Sequence, residues 1–170
     1  PDLHLGHTVA LHKLRQFQKL GHQIVLIIGD YTARIGDPSG KSKTRPMLTA
    51  EDIEKNAQTY LAQVGKILEV KDIEIRNNSE WFAAESEWAL KISGLFSVQR
   101  LLERDEFARR LKEGIEITVR ELLYPTMQAY DSVKIVSDVE IGGTDQKFNM
   151  LAGRDLQRYM HLSEQDVITL

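Results

Sequence analysis

Cysteine is absent from the 170 residues, so disulfides within the chain and cysteine-ligated zinc are both excluded. A cysteine-free chain fits a reducing compartment, and the sequence reads as cytosolic. No uninterrupted apolar run approaches the roughly 18 residues of a membrane span, and no signal-peptide pattern opens the chain. Charge of one sign is not in excess. Lys and Arg number 22 against 25 Asp and Glu, a net charge of −3, so no global basic field recruits nucleic acid. An RNA ligand would need a local patch or another domain. There is no internal repeat and no low-complexity stretch. What is present is ordinary for a globular protein, 42% hydrophobic and 28% charged residues. That suffices for one domain with a core, or one domain carrying an insertion. The chain opens at Pro1-Asp2 without a methionine and closes at Leu170 within an apolar segment, which reads as a piece of a longer protein.

Apolar periodicity predicts the elements. Ala10, Leu11, Leu14, Phe17 and Leu20 recur at helical spacing over residues 7–20, and Gly21 follows as a stop. Ile24 to Ile28 is a continuous apolar run suited to a strand buried on both faces, as in a parallel sheet. The loop from Asp30 to Leu48 is too long for a plain connector. Thr49 with Asp52 reads as a helix start, and Ile53, Ala57, Tyr60, Leu61, Val64, Ile67 and Leu68 form a helical stripe. A short strand is predicted over Ile73–Arg76, then a helix through Trp81 and Trp88. Residues 95–114 mix Leu95, Phe96, Val98, Leu101, Leu102, Phe107 and Leu111 with many charges. A helix over 118–135, a strand over Val139–Ile141, a glycine turn and another helix complete the order. The alternation predicts an α/β fold, a Rossmann-like open parallel sheet with helices on both faces and a helical insertion.

Four segments carry candidate chemistry. His4-Leu5-Gly6-His7 places two imidazoles at a helix start, where first-turn N–H groups and the helix dipole favour a phosphate. Gly6 permits close backbone approach. The bland alternative is two surface histidines, and metal is disfavoured because no glutamate sits between them. Gly36-Asp37-Pro38-Ser39-Gly40-Lys41-Ser42 invites a P-loop reading, but only three residues separate its glycines and Ile35 stands where a glycine is required. A basic loop that carries Lys41 and Arg45 to a polyphosphate is the preferred reading. Tyr124, Gln128 and Asp131 have i, i+4, i+7 spacing and so share one helix face, suited to gripping a small polar molecule; the alternative is an exposed polar stripe. Pro125 belongs in a first helical turn or at a kink. Gly142-Gly143-Thr144-Asp145-Gln146 follows a strand end, where open α/β sheets gather ligands; the alternative is a glycine turn capped by Thr144.

Taken together, these segments resemble the class I aminoacyl-tRNA synthetases, and within them the bacterial tyrosyl-tRNA synthetases. His4-Leu5-Gly6-His7 is similar to the class signature, with leucine for isoleucine, and the other segments follow in the family's order over all 170 residues. The resemblance implies a catalytic domain over residues 1–170, with a connective, dimer-forming insertion at about 95–117. It implies activation of L-tyrosine by ATP to tyrosyl-adenylate and pyrophosphate, with Mg²⁺ accompanying ATP, then transfer of tyrosine to tRNA(Tyr) by a cytoplasmic homodimer. His4, Gly6 and His7 would bind ATP phosphates, with Lys41 and Arg45 reaching the pyrophosphate. Asp37, Tyr124 and Gln128 would hold the α-amino group, with Gln146 near the carboxylate and Asp131 on the phenolic hydroxyl. Gly143 and Asp145 would contact the ribose. A tyrosine sharing that hydroxyl is expected before Pro1, and the KMSKS loop and anticodon-binding region beyond Leu170. Ala10 and Gln99 depart from the threonine and asparagine of some relatives. Two rival readings are a tryptophanyl-tRNA synthetase and a non-catalytic dimerisation or RNA-binding piece.

Overall fold

The structure is a computed structural model that describes residues 3–34 and 50–170. Helix α1 spans Leu5–Lys19 and strand β1 Ile24–Ile28. Between them Gly21 adopts φ +87°, a left-handed conformation that glycine takes without steric cost and that ends the helix cleanly. Helix α2 (Ala50–Val64) leads to strand β2 (Ile73–Asn77). Two short helices follow, α3 (Ser79–Phe82) and α4 (Trp88–Ser93), where the tryptophan spacing predicted one. The charged, apolar stretch folds as α5 (Val98–Leu102) and α6 (Asp105–Lys112). Helix α7 (Val119–Lys134) precedes β3 (Val139–Gly142), and α8 (Lys147–Tyr159) precedes β4 (Asp166–Thr169).

The α/β alternation is as expected, and each strand pairs in parallel. Strand β1 pairs with β2 in the register Ile24–Ile73 to Ile28–Asn77, and β3 pairs with β4 from Val139–Asp166 to Gly142–Thr169. Among the described residues these are two separate two-stranded sheets, not one continuous sheet. Strand β1 is correspondingly less enclosed than its apolar run implied: Ile24 is buried, while Val25 to Ile28 are only partly so.

Helix α7 is the spine of the larger core. Met127, Ala129, Tyr130 and Val133 pack with Trp81, Phe82, Trp88, Ile92 and, from α8, Ala152 and Leu156. Each such large side chain contributes roughly 1.5–3 kcal/mol on burial. The start of α7 is set locally. The Thr118 hydroxyl accepts from the Glu121 N–H, and the Glu121 carboxylate accepts from the Thr118 N–H, a reciprocal cap. Pro125 lies inside this helix rather than in its first turn. A smaller core joins Leu11 of α1 to Val64 and Leu68, at and just after the end of α2. In the stretch after α4, Phe96 and Leu101 are buried in the chain's own core, whereas Val98 is 60% exposed and Leu111 53%.

Candidate active site

The first histidine does more than the sequence suggested, because it is the N-cap of α1. His4 Nδ1 accepts the Gly6 N–H at 3.1 Å, and His7 Nδ1 accepts the His4 N–H at 3.2 Å. The two rings lie 3.9 Å apart, centre to centre. With each Nδ1 an acceptor, the proton of each neutral ring belongs on Nε2. Both side chains are exposed, so the helix start offers two imidazole N–H donors at the positive end of the helix dipole. At Gly6 a Cβ would stand 2.9 Å from the His4 ring, so the cap itself calls for glycine.

Helix α7 turns its polar stripe into a cavity of about 450 Å³, within the range of small-molecule sites. Tyr124, Gln128 and Asp131 line it together with His7, Thr32 and Glu140. The sequence predicted the first four of these and missed Thr32 and Glu140. Asp131 is fixed by two donors from the β2–α3 region, Trp81 Nε1 to Oδ1 at 2.9 Å and Asn78 Nδ2 to Oδ2 at 3.4 Å. Burial pushes its carboxyl up to about 7, with Glu140 and Asp30 adding to the rise, and the Trp81 and Asn78 hydrogen bonds only partly offset it. Asn78, itself fully buried, also donates to Thr32 Oγ1 at 3.0 Å and accepts the Tyr31 N–H at 2.9 Å. A tryptophan N–H in a core needs a partner, which is the one sequence signal that could have pointed from Trp81 to a carboxylate.

Gln128 and Gln146, on separate elements, are tied through Asn149. Its Nδ2 donates to Gln128 Oε1 at 3.0 Å and to Gln146 Oε1 at 2.9 Å. Gln146 sits in the short 3₁₀ turn Thr144–Gln146, and its Nε2 donates to Asp145 Oδ2 at 3.0 Å. The residue capping that turn is Gly143 rather than Thr144, and a Cβ on Gly143 would meet Asp145 Oδ1 at 2.4 Å. His4, Gly6, Gly143, Asp145 and Gln146 are not among the residues lining the cavity. Asp37, Lys41 and Arg45, with the rest of the glycine-rich loop and Thr49, lie outside the described residues. Among the described residues no group of three or more His, Asp or Glu could hold a metal ion, and no helix is long and apolar enough to cross a membrane.

The family of class I tRNA synthetases for tryptophan and tyrosine (W and Y) matches residues 1–170, and the chain belongs to it. Its sequence is similar to tyrosine–tRNA ligases. That of Dehalococcoides mccartyi is 57% identical over 169 residues, covering 99% of this chain and 43% of the relative. That of Thermotoga maritima is 56% identical over 171 residues, covering 100% and 43%. The chain thus spans less than half the length of these curated relatives. The fold is similar to a C-terminally truncated mitochondrial tyrosyl-tRNA synthetase of Aspergillus nidulans, with TM-score 0.77 and 25% identity over 91% of this chain and 48% of that one. It is also similar in fold to the Archaeoglobus fulgidus tyrosyl-tRNA synthetase complexed with L-tyrosine. The TM-score there is 0.78 at 22% identity, over 99% of this chain and 50% of the other.

Proposed function

We propose that this chain carries the amino-acid activation site of a tyrosine–tRNA ligase. The observation that carries the reading is that one cavity is lined both by Tyr124, Gln128 and Asp131 of α7 and by His7 of α1. Asp131 is the acceptor for the phenolic hydroxyl, held in place by Trp81 and Asn78. Tyr124 and Gln128, with Asp37, hold the α-ammonium group, and Gln146 lies near the carboxylate. A tyrosine carboxylate oxygen attacks the α-phosphorus of ATP in line, forming the mixed anhydride. The bond from that phosphorus to the bridging oxygen breaks, and pyrophosphate leaves. The substrate supplies the nucleophile, so catalysis rests on positioning and on donors aimed at the phosphate charge. The Nε2–H groups of His4 and His7 and the α1 N-terminus provide such donors. Lys41 and Arg45 act on the pyrophosphate, and Gly143 and Asp145 on the ribose. Mg²⁺ would arrive with ATP and offset the charge of its phosphates.

The second step, in a cytoplasmic homodimer, passes tyrosine to tRNA(Tyr). The sequence relatives named as tyrosine–tRNA ligases favour tyrosine over the tryptophan alternative. The test is ATP–pyrophosphate exchange by the full-length protein with each amino acid in turn. Exchange driven by tyrosine supports the reading. Exchange driven by tryptophan, or by neither, contradicts it.

A further inference from the structure

In the wall of the same cavity, against the α7 stripe, lies a polar cluster centred on Glu140 of β3. Gln128 Nε2 donates to Glu140 Oε1 at 3.2 Å, while Ser132 Oγ and Gln165 Nε2 both donate to Oε2. The Gln128 and Gln165 amide nitrogens can only donate to the carboxyl, so its two oxygens act as acceptors toward them, and these hydrogen bonds work against the burial that raises the carboxyl from its ordinary value. Gln165 is fully buried, and its amide orientation is set independently: Ser137 Oγ donates to its Oε1, and its Nε2 also donates to the Met150 carbonyl at 3.1 Å. Gln165 therefore has only a donor to offer Glu140.

On its other side, Gln128 Oε1 accepts from Asn149 Nδ2. Asn149 is fully buried, and its Nδ2 serves two glutamine oxygens while its Oδ1 meets no partner among the described residues. The Gln128 amide is thus held at both ends, nitrogen toward the carboxylate and oxygen toward Asn149. A carbonyl oxygen carries two lone pairs. Asn149 uses one, which leaves the other for a cation in the cavity. An amide turned the other way would offer N–H to that cation and repel it.

We propose that Glu140 is a positioning residue for the α-ammonium group of the amino-acid substrate, acting through Gln128. It selects the amide orientation that turns an acceptor to the cavity. This rests on the tyrosine-activation reading.

The test compares two ligands in the full-length protein, L-tyrosine and 3-(4-hydroxyphenyl)propionate, which lacks only the amino group. Equilibrium binding and pyrophosphate exchange are measured for wild type, Glu140→Gln and Glu140→Asp. Glu140→Gln is expected to weaken tyrosine about tenfold, the order of a lost hydrogen bond to a charged group, with the change in KM rather than kcat. Binding of the desamino ligand should stay within about twofold. Glu140→Asp keeps the carboxyl at shorter reach and should fall between wild type and Glu140→Gln. In a Gln128→Met background, Glu140→Gln should have no further effect on tyrosine.

Equal weakening of both ligands would make Glu140 merely structural and overturn the proposal, as would unchanged tyrosine binding. Should Glu140→Gln not fold, Glu140→Asp decides, an unchanged ligand ratio overturning the proposal. A wild type that fails to bind tyrosine defeats the tyrosine reading itself, and this outcome appears before any variant is compared.

Discussion

At the scale of single residues, the chemical tasks proposed for His4 and Asp131 can be separated from their structural ones. His4 caps α1 through Nδ1 and offers Nε2 outward. Asparagine is a good N-cap but cannot place a donor where Nε2 stands. His4→Asn should therefore leave the melting temperature nearly unchanged and slow tyrosine activation by about 1.5–3 kcal/mol, the order of a hydrogen bond to a charged group. Single-turnover kinetics check it, and an unchanged rate would return His4 to a purely capping role. For Asp131, the carboxyl sits near 7 in the folded chain against an ordinary 3.8. Between those values the folded state keeps a proton that the unfolded chain has lost, so Asp131 lowers stability as pH rises from about 4 to 7. Asp131→Asn should melt higher than wild type at pH 8, with the gain vanishing near pH 4. Tyrosine binding should run the other way, weakening as pH falls through about 7 because protonation removes the anionic acceptor. That pH dependence should be absent from Asp131→Asn.

At the scale of elements, α7 is the member on which the site depends, and its first turn is anchored by an ion pair. Arg110 of α6 donates to Glu121 Oε1 at 2.6 Å, and both side chains are about nine-tenths buried. Burial pushes the Glu121 carboxyl up, but Arg110 and the Thr118 N–H and hydroxyl outweigh it and bring it down to about 2. The stabilisation is present above the ordinary carboxylate value of 4.5 and is lost as pH falls from there toward 2. Removing one partner of a buried pair leaves the other uncompensated. Arg110→Met should thus cost about 3 kcal/mol by denaturant unfolding at pH 7, and much less near pH 2. Helices α1 and α7 and strand β1 were legible from sequence because their signals are local: a periodic apolar stripe, a cap and a stop. The break between α3 and α4 was not, since Phe82 and Trp88 pack on each other and on Tyr31, and Phe82 also on Tyr130, far along the chain. Strand β4 was missed as well, being four residues long and defined by its pairing with β3. The same division holds in the site. Tyr124, Gln128 and Asp131 share one helix face by spacing alone. Trp81, fifty residues from Asp131, meets it only through the fold, and Asn149 and Glu140 likewise join the cluster only there.

At the scale of the whole molecule, the proposed association through the insertion at about 95–117 would need apolar surface that the chain's own core has not already used. Phe96 and Leu101 are spent internally, so Val98, Leu111 and Ile115 are the exposed candidates for a two-fold contact. Val98→Glu in the full-length protein should shift sedimentation at micromolar concentration toward monomer without lowering the melting temperature. Leu101→Glu should instead destabilise the fold. A wild type that sediments as a monomer would contradict the dimer outright. The cavity on α7 is also the part of the molecule proposed to select tyrosine. A site built to pair a hydroxyl holds an unpaired buried acceptor when the hydroxyl is missing, and that penalty is the source of discrimination. The most direct measurement is the ratio of kcat/KM for tyrosine over phenylalanine in pyrophosphate exchange, for wild type and Asp131→Ala. The ratio should fall by about tenfold or more, as expected for roughly 1.5–3 kcal/mol carried by a hydrogen bond to a charged group. A ratio that stays constant, even with the enzyme still making adenylates, would show that Asp131 is structural and that the cavity does not select its substrate as described.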